Sequence, residues 1–341
     1  MRLISKKIWI TALCLLIPYL FVLVICVKKT DYEAILPGGL TEVGQVIEVD
    51  TDNKEKGSFN TIFVYTYPYT TVFQKYILDI DEKSEAVSYD AYLHLTNEEI
   101  AYMGKISHDA SVTSSILMAY SLAKNNGHNV KYNYKFSGMR IYYRYENQEI
   151  RVNDLIYKVN DIDYNDVEKY YENLKNLKYG DKLTMLRNNT EFEIIIDQNY
   201  IGVNAEGHTY FKFSIYDTYD LKYDEFLPKI TVNPSTSGGP SGGLLQTLAI
   251  YNQITEFDYT YGLKIAGTGT MNGSGNVGAI GGIKEKIYTA YYNNVDIFFC
   301  PEANKEDAII AYDSLPNKRR MKLVFVKTLG EAIRYLEEYD D

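Results

Sequence analysis

Runs of apolar residues divide this chain of 341 residues into five stretches of different rhythm. The first, "IWITALCLLIPYLFVLVICV" from Ile8 to Val27, carries no charge over twenty residues, the length that spans a bilayer as a helix. From about Glu42 to Tyr89 the segments "GQVIEV", "TIFVYTY" and "KYILDI" read as strands, with the polar turn "DTDNKEKGS" between them. Thr96 and Glu99 fit a capping box that opens a helical stretch, renewed in "SSILMAYSLAKNNG" and stopped at Gly127. Residues 128–198 run strand, strand, helix, strand, through "MRIYYRY", "DLIYKVNDIDY", "NDVEKYYENLKNLKYGD" and "KLTMLRNNTEFEIII". From about Tyr200 strands and helices alternate to the end, as in an α/β domain. The predicted organisation is therefore 1–29, 30–127, 128–198 and 199–341, an α+β and α/β multidomain chain in which 30–127 packs with the last domain.

The flanks of the apolar run change its meaning. Lys6 and Lys7 precede it, Lys28 and Lys29 follow, and "ICVKKTDYEA" offers no small-residue cleavage site, so an uncleaved signal anchor is expected. A lipoprotein box would need a small residue where Ile25 precedes Cys26. Arg2 adds to the N-terminal basic flank, whereas Asp31 and Glu33 follow on the far side. This bias predicts a single-pass protein of the cell membrane, N-terminus inside and bulk extracytoplasmic. A net charge of -10 argues against a nucleic-acid partner, which needs a basic face. Of three cysteines, Cys14 and Cys26 lie in the apolar run and Cys300 follows "VDIFF", so no disulfide is expected. Tyrosine, 34 residues, is spread over the whole chain and marks no local platform.

Two glycine-dense segments carry the candidate chemistry, "SGGPSGG" at 237–243 and "GAIGGIKEK" at 278–286. Pro240 suits the first position of a helix whose apolar set is Leu244, Leu245, Leu248 and Ala249. Ser241 would then lie in the first turn, where free N–H groups and the helix dipole stabilise a developing oxyanion, and Gly238 and Gly239 would admit a substrate backbone. An ordinary N-terminal serine is the plainer reading. In the second helix, Lys284 shares a face with Ile287, Tyr288 and Tyr291, and Lys286 is expected on the polar face. A lysine on an apolar stripe either snorkels or loses its proton and becomes a general base.

"GGPSGG" followed by "IAGTGTMNGSGNVGAIGGIKEKI" closely resembles the proteolytic domain of Lon-type serine–lysine endopeptidases, over roughly residues 205–341. The resemblance implies a ribosomal protein S5 domain 2-like fold, Ser241 as nucleophile, Lys284 as general base and Thr268 as the lysine's contact, with Gly239, Pro240 and Gly242 shaping the oxyanion turn. Gly238 and Thr270 depart from the acidic residues found there in energy-dependent Lon enzymes. "RVNDLIYKVNDIDYNDVEKYYENLKNLKYGDKLTMLRNNTEFEI" resembles the second half of a PDZ domain, although Asn153 and Asp161 stand where that family has glycine, and no carboxylate-binding loop is evident near "KFSGM". That resemblance implies capture of protein tails by strand addition. With the anchor, the chain resembles the membrane-anchored, PDZ-containing Lon-like proteases of Gram-positive bacteria, with polypeptide substrates and an oligomer as a further possibility.

Other chemistries fit less well. No "G-x-x-x-x-G-K-[ST]" occurs, so ATP-independent cleavage with no cofactor is expected. "GSGNVG" at 273–278 is a literal dinucleotide fingerprint, but "AIGG" separates it from the following helix. Of the four histidines only His208 falls in the C-terminal domain, which disfavours a Ser-His-Asp site, and neither H-E-x-x-H nor paired-cysteine spacing marks a metal. A catalytically inactive membrane-anchored scaffold is the remaining alternative.

Overall fold

The computed structural model describes residues 6–339 except 53, 54, 207, 236, 237, 256 and 318–320. Arg2 and Ser237 therefore lie outside the described residues, as do the side chains of Lys6 and Lys7. The apolar run forms the helix Lys6–Val27, and its Ile8–Val27 stretch, with none of its window buried, is long and apolar enough to cross a membrane.

A six-stranded mixed sheet forms the centre, in the order Lys322–Val326, Ile297–Pro301, Lys264–Gly267, Ser58–Tyr67, Tyr32–Glu42, Glu85–Ser88. Its first four strands are parallel, with Ile265 beside Ile297 and Phe59, and the last two pair antiparallel. Both faces are covered, which is why strands such as "IFFCP" are apolar throughout rather than alternating. Phe59, Ile265 and Phe299 face a core shared with the helices Asn97–Asn125, Gly243–Thr255 and Leu329–Glu337. Ile62, Ala266, Phe298 and Cys300 face the helices Ile283–Tyr292 and Lys305–Asp313. Thr96 caps the long helix with its hydroxyl on Glu99 N–H while Glu99 returns to Thr96 N–H, the reciprocal box expected there.

A second sheet, in the order Phe213–Leu221, Tyr134–Arg144, Leu155–Val159, Lys182–Arg187, Thr190–Ile195, carries the helix Val167–Lys175 and has its own core around Ile141, Ile156 and Tyr170. This unit lies between the two halves of the central sheet in sequence. Two expectations are corrected here. Phe213–Leu221 pairs antiparallel with Tyr134–Arg144 along its length, with Phe213 opposite Arg144 and Leu221 opposite Tyr134. The second unit thus extends to about residue 221, beyond the expected boundary at 198. "KYILDI", read as a strand, instead belongs to the helix Val72–Ile80, because Thr71 and Gln74 form a capping box that period-two reading overlooked.

Candidate active site

Ser241 lies in the turn just before the helix Gly243–Thr255, not inside its first turn as the position of Pro240 suggests. The long helix Asn97–Asn125 holds that turn at three points: Gly239 N–H donates to Gly104 O at 3.0 Å, Ser111 Oγ donates to Pro240 O at 3.0 Å, and Ser115 Oγ donates to Gly243 O at 3.1 Å. Gly239 adopts φ 88°, a left-handed conformation that a side chain would strain. Gly243 needs its missing side chain for a second reason, since a Cβ there would lie 2.9 Å from Met271 N. The glycines therefore fit the turn onto its supports, and the Gly239 N–H is already engaged rather than free for a substrate. Among the described residues, the N–H groups of Ser241 and Gly242 make no hydrogen bond, which leaves them as the donors beside the serine.

Thr268 follows directly on the central strand Lys264–Gly267 and is fully buried. Its N–H donates to Phe299 O at 3.0 Å, and its hydroxyl donates to Ser241 O at 3.1 Å. The amine that meets this pair is that of Lys286. Its Nζ donates to Ser241 Oγ at 2.8 Å and to Thr268 Oγ1 at 3.0 Å. Lys286 is only 3% exposed, and burial lowers its pKa from 10.5 to about 8 against the opposing pull of Cys300 and Glu285. The Cys300 thiol beneath it is pushed up to about 12 by the same burial, so it remains neutral.

The expectation for Lys284 is thereby corrected. Its Nζ donates to Ser84 O at 2.7 Å and lies 3.6 Å from Glu285, with the side chain 30% exposed. The face reading fails because the Ile283–Tyr292 helix has little solvent face. Ile283, Glu285, Lys286, Ile287, Tyr288, Thr289 and Ala290 are all buried, wedged between the sheet and the helix Lys305–Asp313. The apolar set that bears on Lys286 is Ile283 and Ala290, three residues before and four after it. Also missed in the sequence were Gly104, Ser111 and Ser115, which sit more than a hundred residues upstream at positions that look like ordinary helix polarity. His108, on the same helix, lines the serine's cavity, and burial lowers its pKa.

Glu285 is fully buried with neither carboxyl oxygen hydrogen-bonded among the described residues, and burial raises its pKa from 4.5 to about 7. Because the folded-state value is the higher one, the folded protein holds this proton more tightly than the unfolded chain. Stability from this group is complete below about pH 4.5 and lost as pH rises to about 7. Lys284 offsets part of that cost. Glu285→Gln should therefore reduce the drop in stability between about pH 5 and pH 8 by about 2 kcal/mol in paired denaturant titrations. An unchanged drop would mean that Glu285 is ionised in the fold at both pH values.

The cavity containing Ser241 and Lys286 measures about 540 Å³ and is bordered by Ile62 to Thr66. That strand pairs with Lys264–Gly267 only over Ser58–Thr61, so among the described residues Ile62 to Thr66, which line the cavity with Ser241, have no strand partner on that side. The site lies where the parallel strands Lys264–Gly267 and Ile297–Pro301 end, the usual position in open α/β sheets.

Residues 208–337 match the family model described as the Lon protease (S16) C-terminal proteolytic domain. The chain is 30% identical over 151 residues to Lon protease 2 of Borreliella burgdorferi, a match covering 42% of this chain and 18% of that protein. It is 36% identical over 96 residues to Lon protease of Fusobacterium nucleatum, covering 28% of this chain and 12% of the relative. The chain thus spans less than a fifth of the length of these relatives. The stretch 208–337, which holds Ser241, Thr268 and Lys286, corresponds to a Lon (S16) proteolytic domain.

Proposed function

We propose that this chain is a membrane-anchored serine endopeptidase that hydrolyses polypeptides without nucleotide, with Ser241 as nucleophile and Lys286 as general base. The observation that carries this reading is the 2.8 Å contact between Lys286 Nζ and Ser241 Oγ in a buried site. A neutral amine has one lone pair and two N–H groups. With one N–H directed to Thr268 Oγ1, whose own hydrogen is committed to Ser241 O, the neutral amine turns its lone pair to the serine hydroxyl by rotating about the bond to Nζ, in place of the N–H that the ammonium donates there.

The chemistry follows from that orientation. Lys286 takes the Ser241 proton as Oγ attacks the scissile carbonyl, and the N–H groups of Ser241 and Gly242 stabilise the oxyanion. The resulting ammonium gives its proton to the departing amine, leaving an acyl ester on Ser241. A water, deprotonated by the same amine, then attacks the ester carbonyl, and the ammonium returns the proton to Ser241 Oγ as the C–O bond breaks and the acid leaves. A substrate chain lying extended along the free edge at Ile62–Thr66 presents its carbonyl to the serine, and main-chain pairing explains how one site accepts varied sequences.

The Ile8–Val27 helix supports membrane anchoring, and the basic N-terminal flank against Asp31 and Glu33 supports an extracytoplasmic remainder. The second sheet with its Val167–Lys175 helix supports the PDZ-like reading, a unit that recruits substrates or partners. The purified full-length chain in detergent should cleave an unfolded polypeptide in buffer free of ATP and divalent cations, at the rate measured with both added. A strict ATP requirement would contradict this account, and no cleavage under either condition would favour an inactive scaffold.

A further inference from the structure

A larger cavity, about 780 Å³, lies on the other side of the Pro240 turn. One wall is the long helix from Ala110 to Ser121, another is Ile215 to Tyr219 on the second sheet, and its inner end is Pro240 with Thr270 to Gly273. Both cavities border the same stretch of the long helix, His108 in one and Ala110 and Ser111 in the other, and the adjacent residues Pro240 and Ser241 line one each. The strand Phe213–Leu221 is the terminal strand of its sheet. Among the described residues its outer edge pairs with no other strand, and its residues Ile215, Tyr216, Asp217 and Tyr219 line this groove.

The lining is aromatic and hydroxylic, with Tyr132, Tyr134, Tyr216 and Tyr219 facing Ser114 and Ser121, and contains no lysine, arginine or histidine. Its one charged side chain, Asp217, already accepts from Tyr171 Oη at 2.7 Å and Tyr219 Oη at 3.2 Å. Lys124 Nζ stands 5.8 Å from the Tyr132 ring centroid but is not among the lining residues, so a terminal carboxylate in the groove would meet Asp217 with no cation in the lining to pair with. We propose that this groove binds an extended, uncharged, internal segment of the polypeptide substrate, on the opposite flank of the scissile bond from the Ile62–Thr66 edge, by main-chain pairing with Phe213–Leu221. The inference rests on the peptidase reading for what the bound segment is for. It adds that the inserted sheet forms part of the cleavage groove and selects interior segments rather than chain ends.

Binding tests this without turnover. The full-length Ser241→Ala chain in detergent is titrated with a fluorophore-labelled peptide of about twelve uncharged residues, enough to span a nine-residue strand, acetylated and amidated in one form and free at its C-terminus in the other. The two forms should bind with dissociation constants within about threefold, and Ser114→Trp, which fills the groove, should weaken both by about tenfold or more. Thr113→Arg, one residue earlier on the same wall, provides a second variant, and thermal melting confirms that the one used is folded. The proposal is overturned if the capped peptide does not bind at millimolar concentration, if both folded variants bind it as tightly as their parent, or if the free carboxylate form binds more than about tenfold better. Failure of the peptidase reading is a separate result, seen as absence of Ser241-dependent cleavage in the parent chain.

Discussion

Lys286→Arg is expected to lower polypeptide cleavage by about a thousandfold or more, while Lys284→Arg keeps it within about twofold. The difference follows from where the two amines sit. A guanidinium stays protonated at any working pH, so it cannot accept the Ser241 proton, and it is too bulky for the space between Ser241 and Thr268. Lys284 is 30% exposed and bonded to a backbone carbonyl, a role that arginine can fill. Stability should move the other way from activity. The folded-state pKa of Lys286 is depressed from 10.5 to about 8, so folding disfavours its charged form, and stability rises with pH between those values. Below about pH 8 the full cost of the buried ammonium is present. Lys286→Met should then be inactive yet more stable at pH 7 by about 1–3 kcal/mol, after allowance for the two lost hydrogen bonds. A Lys286→Met protein less stable than its parent would mean that the amine is well solvated in the fold.

Ser241→Ala should likewise reduce cleavage by about a thousandfold or more, because among the described residues the only other hydroxyl bonded to the Lys286 amine is that of Thr268. Thr268 cannot substitute. Its hydroxyl hydrogen is committed to Ser241 O, and the side chain is fully buried behind the serine. The variant should remain folded, since the turn is held by Gly104, Ser111 and Ser115 through backbone atoms that the substitution leaves in place. Lys286 loses one of its two acceptors, so a modest destabilisation below about pH 8 is expected, about 1 kcal/mol. Cleavage retained by a Ser241→Ala protein of confirmed mass would exclude the serine as nucleophile.

The sequence makes the serine legible because its signals are local: glycine density, a proline, then an apolar helical repeat. The α/β alternation after Tyr200 and the capping box at Thr96 are local in the same way. The lysine beside the serine is not legible by helical face, because that reading presumes one wet side and the Ile283–Tyr292 helix has almost none. At its N-terminal end Lys284 still reaches out to Ser84 O, whereas Lys286 points inward against Thr268. The domain plan was harder still. Ser58–Thr61 pairs in parallel with Lys264–Gly267 across some two hundred residues, and the intervening sheet closes on itself only when Phe213–Leu221 returns to Tyr134–Arg144. Neither pairing leaves a mark in hydrophobic periodicity, since a strand records that it is buried but not what buries it.

The rate at which a fluorophosphonate phosphonylates Ser241 with loss of fluoride, followed by mass spectrometry across pH, tests the Ser241–Lys286 pair most directly because it isolates the nucleophile's activation from substrate binding. The rate should rise through an apparent pKa of about 8 in the parent and in Lys284→Met, and be lost in Lys286→Met. A rate that does not change with pH, or labelling that survives in Lys286→Met and disappears in Lys284→Met, would contradict the pairing of Ser241 with Lys286.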